Sequence, residues 1–443
     1  MNPMQQQFVI EGGHALTGTI TASGNKNAAL KMIPACLLTE EPVILHNVPN
    51  IGDVRTLIEI MRRLGVEVNW IGDGSLRVRG REVTTTDVDA ALAQKLRASI
   101  MLAGPMLARF GRVNLPSPGG DNIGERRLDM HVFALRKLGA VIQYDSGFEM
   151  TADRLRGADI LLAEASVTAT ENALMAAALA RGTTILRNAA SEPHVQDLCN
   201  MLVSMGAHID GIGSNRLIIE GVERLHGGEA RVGADYIEVG SFIGAAVMTG
   251  GEITIKQADP QYLDMIALVF ERLGVGWETR GDDIFVSPHQ PLSVVNDLGN
   301  RIPTIKAQPW PAFPPDLMSI ALTVATQSAG AVLFHDWMYE SRFFFTDRLL
   351  RMGARITLCD PHRVLVQGPT ALRGLSYMSS PDIRAGMAML LAALAAKGET
   401  RIANIQQIDR GYERIEDKLT ALGANIVRVN VGELPHAEIT SAV

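Results

Sequence analysis

Cysteine is scarce, and its three copies, Cys36, Cys199 and Cys359, lie far apart with no CxxC spacing. That excludes a disulfide framework and a structural zinc site of the usual kind. Aromatic residues make up only 5% of the 443 residues. Positive charge is not in surplus either: Lys plus Arg number 41 against 48 Asp plus Glu, a net charge of −7. A nucleic-acid binder would carry a basic stripe, so that class is set aside. No long hydrophobic run is present. The greasiest stretch, Ala385 to Ala396, is about half of the ~20 residues a membrane span needs. The start, MNPMQQQFVIEGG, lacks the basic and apolar regions of a secretion signal. What remains is 47% apolar residues, 20% charged residues and 42 glycines. This composition reads as a cytoplasmic protein of tightly packed small side chains and many turns.

The glycines are ordered. A Leu/Met-Gly pair recurs at Leu64-Gly65, Leu138-Gly139, Met205-Gly206, Leu273-Gly274, Met352-Gly353 and Leu422-Gly423, spaced by 74, 67, 68, 79 and 70 residues. Each glycine stands where a helix takes a left-handed C′ residue, and a strand follows, as in VEVNW, ARITLC and ANIVRV. Six units of about 70 residues are therefore expected, each a small mixed α/β layer that must pack against its siblings. The sixth lacks a closing strand, which the N-terminal QFVIEGG could supply. Residues 1–24 and 234–443 are then expected to form one lobe. Residues 25–233 would be a second lobe inserted into it, carrying the loop 116–126, whose Pro-Gly-Gly suits a mobile lid.

Polar loops recur before the apolar helices (SGNKN, QKLRAS, SPDIRA) and after the strands that follow them (NVPNIGD, PSPGGDNIGER, NIQQIDRGYE). Free N–H groups at helix starts favour anions. Ser, Asp and Asn there also serve as ordinary caps. Lys26, Arg97, Arg126, Arg384 and Arg410 are less ordinary, because a cation at a helix start opposes the dipole and calls for a compensating ligand. A solvated surface charge is the plainer alternative for each.

Taken in order, SGNKNAAL, RASIMLAGPMLARFG, PGGDNIGER, FPPDL, PDIRAGMAMLLAALAAKGET and IDRGYERIEDKLTALGANI resemble the enolpyruvyl transferases, over about Phe8 to Val429. The resemblance implies an α/β fold of two lobes, an inside-out α/β barrel of six βαββαβ units with the active site between the lobes. It also implies transfer of the enolpyruvyl group of phosphoenolpyruvate, with release of phosphate and without metal or organic cofactor. The motifs are nearest to the branch whose acceptor is the 3′-hydroxyl of UDP-N-acetylglucosamine, the first committed step of peptidoglycan synthesis. No nucleic-acid or membrane partner is implied, and a monomer or weak homo-oligomer is expected.

By the same resemblance Lys26, Arg97, Arg126, Arg384 and Arg410 hold phosphoenolpyruvate. Asn27, Arg97, Ser166, Val167, Asp316 and Arg342 hold the sugar nucleotide. Asp316 is the expected base for the hydroxyl, although two preceding prolines also make it a good helix-cap candidate. Asp121 stands where many members have Cys. A carboxyl can replace that thiol as proton donor only if burial raises its pKa from ~3.9, against the pull of nearby Arg126. Such a protein is expected to escape fosfomycin, which alkylates the thiol. Gln407 stands where a His is common before IDRGYE, and two departures bear on the nucleotide side, Glu164 in place of a Lys and Tyr236 in place of an Arg. They leave open another acceptor such as UMP. A non-catalytic repeat protein is the third reading, opposed by the intact set Lys26, Arg126, Asp316 and Arg410. His131, in LDMHVFALRKLG, is either a packed helix histidine or a supporting residue of the site.

Overall fold

The computed structural model describes residues 6–120 and 127–430, so Asp121 and Arg126 lie outside the described residues. Among these are twelve α-helices of six residues or more, two per unit. They are α1 (Lys26–Ala35) and α2 (Gly52–Arg63), α3 (Ala103–Phe110) and α4 (Asp129–Lys137), and α5 (Val167–Ala177) and α6 (Pro193–Ser204). The remaining three units hold α7 (Tyr236–Thr249) and α8 (Asp264–Glu271), α9 (Met318–Ala325) and α10 (Thr346–Arg351), and α11 (Ile383–Ala395) and α12 (Ile415–Ala421).

The two helices of a unit differ in patterning, and that difference decides where each sits. The first is apolar on all sides: 13 of 14 residues of α7, all eight of α9 and 12 of 13 of α11 are buried. A helix without a polar face has to be interior, and α7, α9 and α11 pack against one another. The second helix is amphipathic. In α2, Val54, Leu57, Ile58 and Met61 are buried at helical spacing, while Arg62 and Arg63 are not. Each α2-type helix ends at one of the six repeat glycines, all with φ between +74° and +102°. At Gly65 a Cβ would meet the carbonyl oxygen of Glu82 at 2.6 Å, so the turn also needs the missing side chain.

The strands form six sheets, five of four strands and one of three. Burial alternates along them, as in Arg363–Gly368, giving each sheet one covered face and one wet one. No sheet closes on itself among the described residues, and the two-lobed α/β layout of six units agrees with the expectation. The helices are inside and the sheets outside, but each unit keeps its own sheet with its own edges. Gln6–Gly12 lies between Gly398–Ala403 and Asn425–Asn430, antiparallel to both, and completes the sheet of the last unit.

Buried side chains fall into two cores. One draws on Phe8 to Ala22 and Ala234 to Ile426, the other on Ala28 to Val232. The chain passes between them twice, and the two passages pair: Asn25 N–H donates to Gly233 O at 2.8 Å and Asp235 N–H to Ser23 O at 2.9 Å. Gly24 is obligatory here, since a Cβ would fall 1.7 Å from Asn47 O. No described helix is long and apolar enough to cross a membrane.

Candidate active site

Helix starts from both lobes converge on one cleft with about 1190 Å³ of empty space. Lys26 and Asn27 open α1 behind the Asn25 cap, whose Oδ1 accepts from Ala28 N–H at 3.0 Å. Arg97 opens a 3₁₀ run to Leu102, and Val167 opens α5. From the other lobe, Asp382 caps α11 by accepting from Arg384 and Ala385 N–H at 2.8 and 2.9 Å, which sets Arg384 facing the cleft. Asp316 sits in the 3₁₀ turn Pro315–Leu317 and makes no cap bond. Its side chain goes instead to two arginines.

Those contacts make the first of two ionic clusters. Asp316 accepts from Arg342 Nη2 and from Arg384 Nε, each at 3.2 Å. Arg342 and Arg384 are 2% and 6% exposed at the side chain, against 31% for Asp316. Burial alone would raise the Asp316 carboxyl. Arg384, Arg342 and Lys26 outweigh it and hold the group far below the usual carboxylate range. Arg384 also lies over the Tyr412 ring, 5.5 Å from its centroid, and Arg342 over that of Tyr339 at 4.9 Å.

The second cluster spans the lobes. Lys26 Nζ lies 2.8 Å from Asp53 Oδ2, while Arg410 donates to Asp53 through Nε at 2.8 Å and Nη2 at 3.3 Å. Burial would raise the Asp53 carboxyl, but Lys26 and Arg410 together keep it lowered and ionised. Arg410 Nη1 also donates to Gln407 Oε1 at 2.9 Å, so the glutamine found in place of histidine acts as an acceptor.

A third wall is buried and less charged. The rings of His194 and Tyr236 stack at 6.4 Å, and Trp310 meets Tyr236 at 5.8 Å. Burial lowers His194 well below its usual range. Burial also pushes Glu192 up to about 7. Behind this wall Lys31 Nζ lies 3.5 Å from Glu171 Oε2, and burial is the main reason that Glu171 is pushed up to about 8. Lys31 and Glu192 line the cleft.

Of the residues expected from sequence, Lys26, Asn27, Arg97, Val167, Asp316, Arg342, Arg384 and Arg410 all line the cleft. Ser166, the N-cap residue of α5, stands one residue outside its wall. Glu164 is exposed, whereas Tyr236 is 4% exposed within the aromatic wall. His131 is a packed helix histidine. Its Nε2 meets Thr168 Oγ1 at 3.0 Å and its Nδ1 meets Asn172 Nδ2 at 2.9 Å, and burial pushes its pKa down to about 3. Asp53, Lys31, Glu192, His194 and Trp310 were not expected. Asp53 stood in the polar loop NVPNIGD, but nothing local marked it or Glu192. Among the described residues no group of His, Cys, Asp and Glu could hold a metal ion.

Comparison with known proteins agrees on one kind of protein. The family described as EPSP synthase (3-phosphoshikimate 1-carboxyvinyltransferase) matches residues 10–419. The UDP-N-acetylglucosamine 1-carboxyvinyltransferase of Bradyrhizobium diazoefficiens is 54% identical over 423 residues, 96% of this chain and 98% of that protein. That of Treponema denticola is 52% identical over 420 residues, covering 95% and 98%. Among solved structures, the enolpyruvyl transferase NikO of Streptomyces tendae superposes with a TM-score of 0.85 at 25% identity, over 97% of this chain and all of that one. EPSP synthase of Acinetobacter baumannii gives 0.73 at 17% identity over 96% and 100%, a likeness of fold alone.

Proposed function

This chain belongs to the EPSP synthase family of enolpyruvyl transferases, and on that premise we propose that it acts on phosphoenolpyruvate and UDP-N-acetylglucosamine. The enolpyruvyl group moves to the 3′-hydroxyl of the sugar and phosphate is released. The observation that carries this reading is the pair of ionic clusters in one cleft, joined to relatives of that name at 50% identity and above over nearly the full length. The donor brings a carboxylate and a phosphate. Lys26, Arg97, Arg384 and Arg410, with Arg126 from the loop, are the cations assigned to them, since guanidinium forks hold such oxyanions through paired hydrogen bonds. Asn27, Ser166, Val167, Asp316 and Arg342 are assigned to the sugar nucleotide.

The reaction is an addition followed by an elimination. The 3′-oxygen bonds to C2 of phosphoenolpyruvate, its proton passes to Asp316, and C3 takes a proton from Asp121. C3 then returns a proton to Asp121 as the C2–phosphate bond breaks and phosphate leaves with the bonding pair. Asp316 is held ionised by Arg342 and Arg384, so it is ready to accept but is a weak base. An incoming anion shares those guanidinium groups, lessens their pull on Asp316 and raises its affinity for the proton. Asp121 in place of Cys leaves fosfomycin no thiol to alkylate, and the protein is assigned as insensitive to it. The work is assigned to the cytoplasm, by a monomer or weak homo-oligomer.

The test is the product. Purified protein with both substrates should yield a sugar nucleotide with two vinylic protons in its NMR spectrum and an ether at the 3′-oxygen. A product lacking the vinyl group, or an ether elsewhere on the acceptor, would sink the reading.

A further inference from the structure

Lys26 and Arg410 come from different lobes and are 384 positions apart, yet both bind one carboxylate that neither the motifs nor the family likeness had marked. We infer that Asp53 is a positioning residue for the donor site: it sets the spacing and orientation of the Lys26 ammonium and the Arg410 guanidinium across the lobe boundary. The inference rests on the function proposed above and deepens it.

Three observations support it. Asp53 is nearly enclosed, with its side chain 7% exposed, and both of its oxygens are used: Oδ1 takes Arg410 Nε, and Oδ2 takes Lys26 Nζ and Arg410 Nη2. The Nε–Nη2 edge of a guanidinium held by a carboxylate fixes the plane of the whole fork, because the group is rigid. Without a shared counter-ion, two cations brought this close would repel, and each would find its own conformation. Asp53 also stands in the first turn of α2, where the helix dipole favours a carboxylate, and is anchored by buried Val54 and Leu57. The preceding residue, Gly52, opens the helix beside Arg410, where a Cβ would lie in ordinary contact with Arg410 Cγ at 3.5 Å. The positioning group is thus built into one lobe and acts on a cation of the other.

The test uses the full chain and steady-state phosphate release, with each substrate varied in turn. Asp53→Asn keeps the shape and removes the charge. The KM for phosphoenolpyruvate should rise about ten- to a hundredfold, the loss of one or two charged hydrogen bonds. The KM for UDP-N-acetylglucosamine should stay within about twofold, a split that a merely structural role would not produce. Arg410→Lys, which cannot present a fork, should leave little further effect for Asp53→Asn to add. Asp53→Glu restores the charge on a longer arm and should recover part of the donor affinity; it also serves as the readout if Asp53→Asn does not fold. A folded Asp53→Asn protein with an unchanged KM for phosphoenolpyruvate overturns the inference, as does an equal rise for both substrates in either variant. Absence of phosphate release in the unaltered protein would overturn the functional reading itself, which is a different result.

Discussion

Replacing Asp316 by Asn separates the two things the carboxylate does. It is the shared partner of Arg342 and Arg384, whose side chains are 2% and 6% exposed. Removing one member of a fully buried ion pair costs about 3–5 kcal/mol. Asp316 is itself 31% exposed, and Arg342 keeps Asp336 at 3.7 Å while Arg384 keeps the Tyr412 ring. About 2–3 kcal/mol is therefore the expected loss at neutral pH, once solvent screening is allowed for. The folded-state pKa of Asp316 is depressed, so its contribution is fully present above the unfolded value of ~3.9 and is lost as pH falls below it toward the folded value. Urea unfolding of both proteins from pH 7 down to pH 3 should show the gap shrinking only at the acid end. Turnover is the second readout: losing a general base should lower kcat by about 10²–10⁴-fold. Unchanged unfolding midpoints would refute the ionic account of the cluster. Turnover within a few-fold of the parent would refute the assignment of Asp316 as base.

Other outcomes follow from single features. The buried Lys31–Glu171 contact should be cheap to replace. Glu171, raised to about 8, keeps its proton at neutral pH, so Lys31→Met alone leaves a buried polar group rather than a charge and should cost only about 1–3 kcal/mol. Lys31→Met with Glu171→Leu should come out near neutral or better in urea melts. Glu192, raised to about 7, keeps a proton in the folded state that it loses in the unfolded state above ~4.3. Stability should therefore fall as pH rises from about 4 to 7, and Glu192→Gln should flatten that slope. Gly65→Ala, at φ +94° and 2.6 Å from Glu82 O, should lose more than about 1 kcal/mol, read as a lower melting temperature. Time-dependent assays with fosfomycin should show no inactivation, and Asp121→Cys should acquire it.

Periodic features were legible along the chain. Leu/Met-Gly at six places announced the repeat because a left-handed helix end needs glycine regardless of context, and all six have positive φ. The cations at helix starts were legible for a related reason: Lys26 and Arg384 oppose the dipoles beside them, an anomaly that local sequence can show. Arg410 does not fit that expectation, since it stands at the C-terminal cap of the short helix Gln406–Asp409, where the dipole favours a cation. Asp53 was hidden because an acidic residue in the first turn of an amphipathic helix is ordinary. Only the approach of Arg410, 357 positions away, makes it special. Lys31 and Glu171 were hidden in the same way, each a lone charge inside an apolar helix until the fold sets them 3.5 Å apart. The six-unit, two-lobed layout was legible from spacing. Which strands join across units was less so, since Gly228–Arg231 pairs with Val43–His46 and Thr17–Thr21 with Glu252–Lys256 at the chain crossings.

Acceptor choice is the most direct test of the central claim. Tyr236 and Glu164 depart from the cations expected on the nucleotide side, while the relatives at 54% and 52% identity carry the UDP-N-acetylglucosamine name. Phosphate release should be measured with phosphoenolpyruvate at saturation and UDP-N-acetylglucosamine, UMP or shikimate 3-phosphate offered in turn. The expected result is release with UDP-N-acetylglucosamine alone, at a kcat/KM at least about a hundredfold above either competitor, as befits a site that pairs with groups the others lack. Faster release with UMP or shikimate 3-phosphate would contradict it.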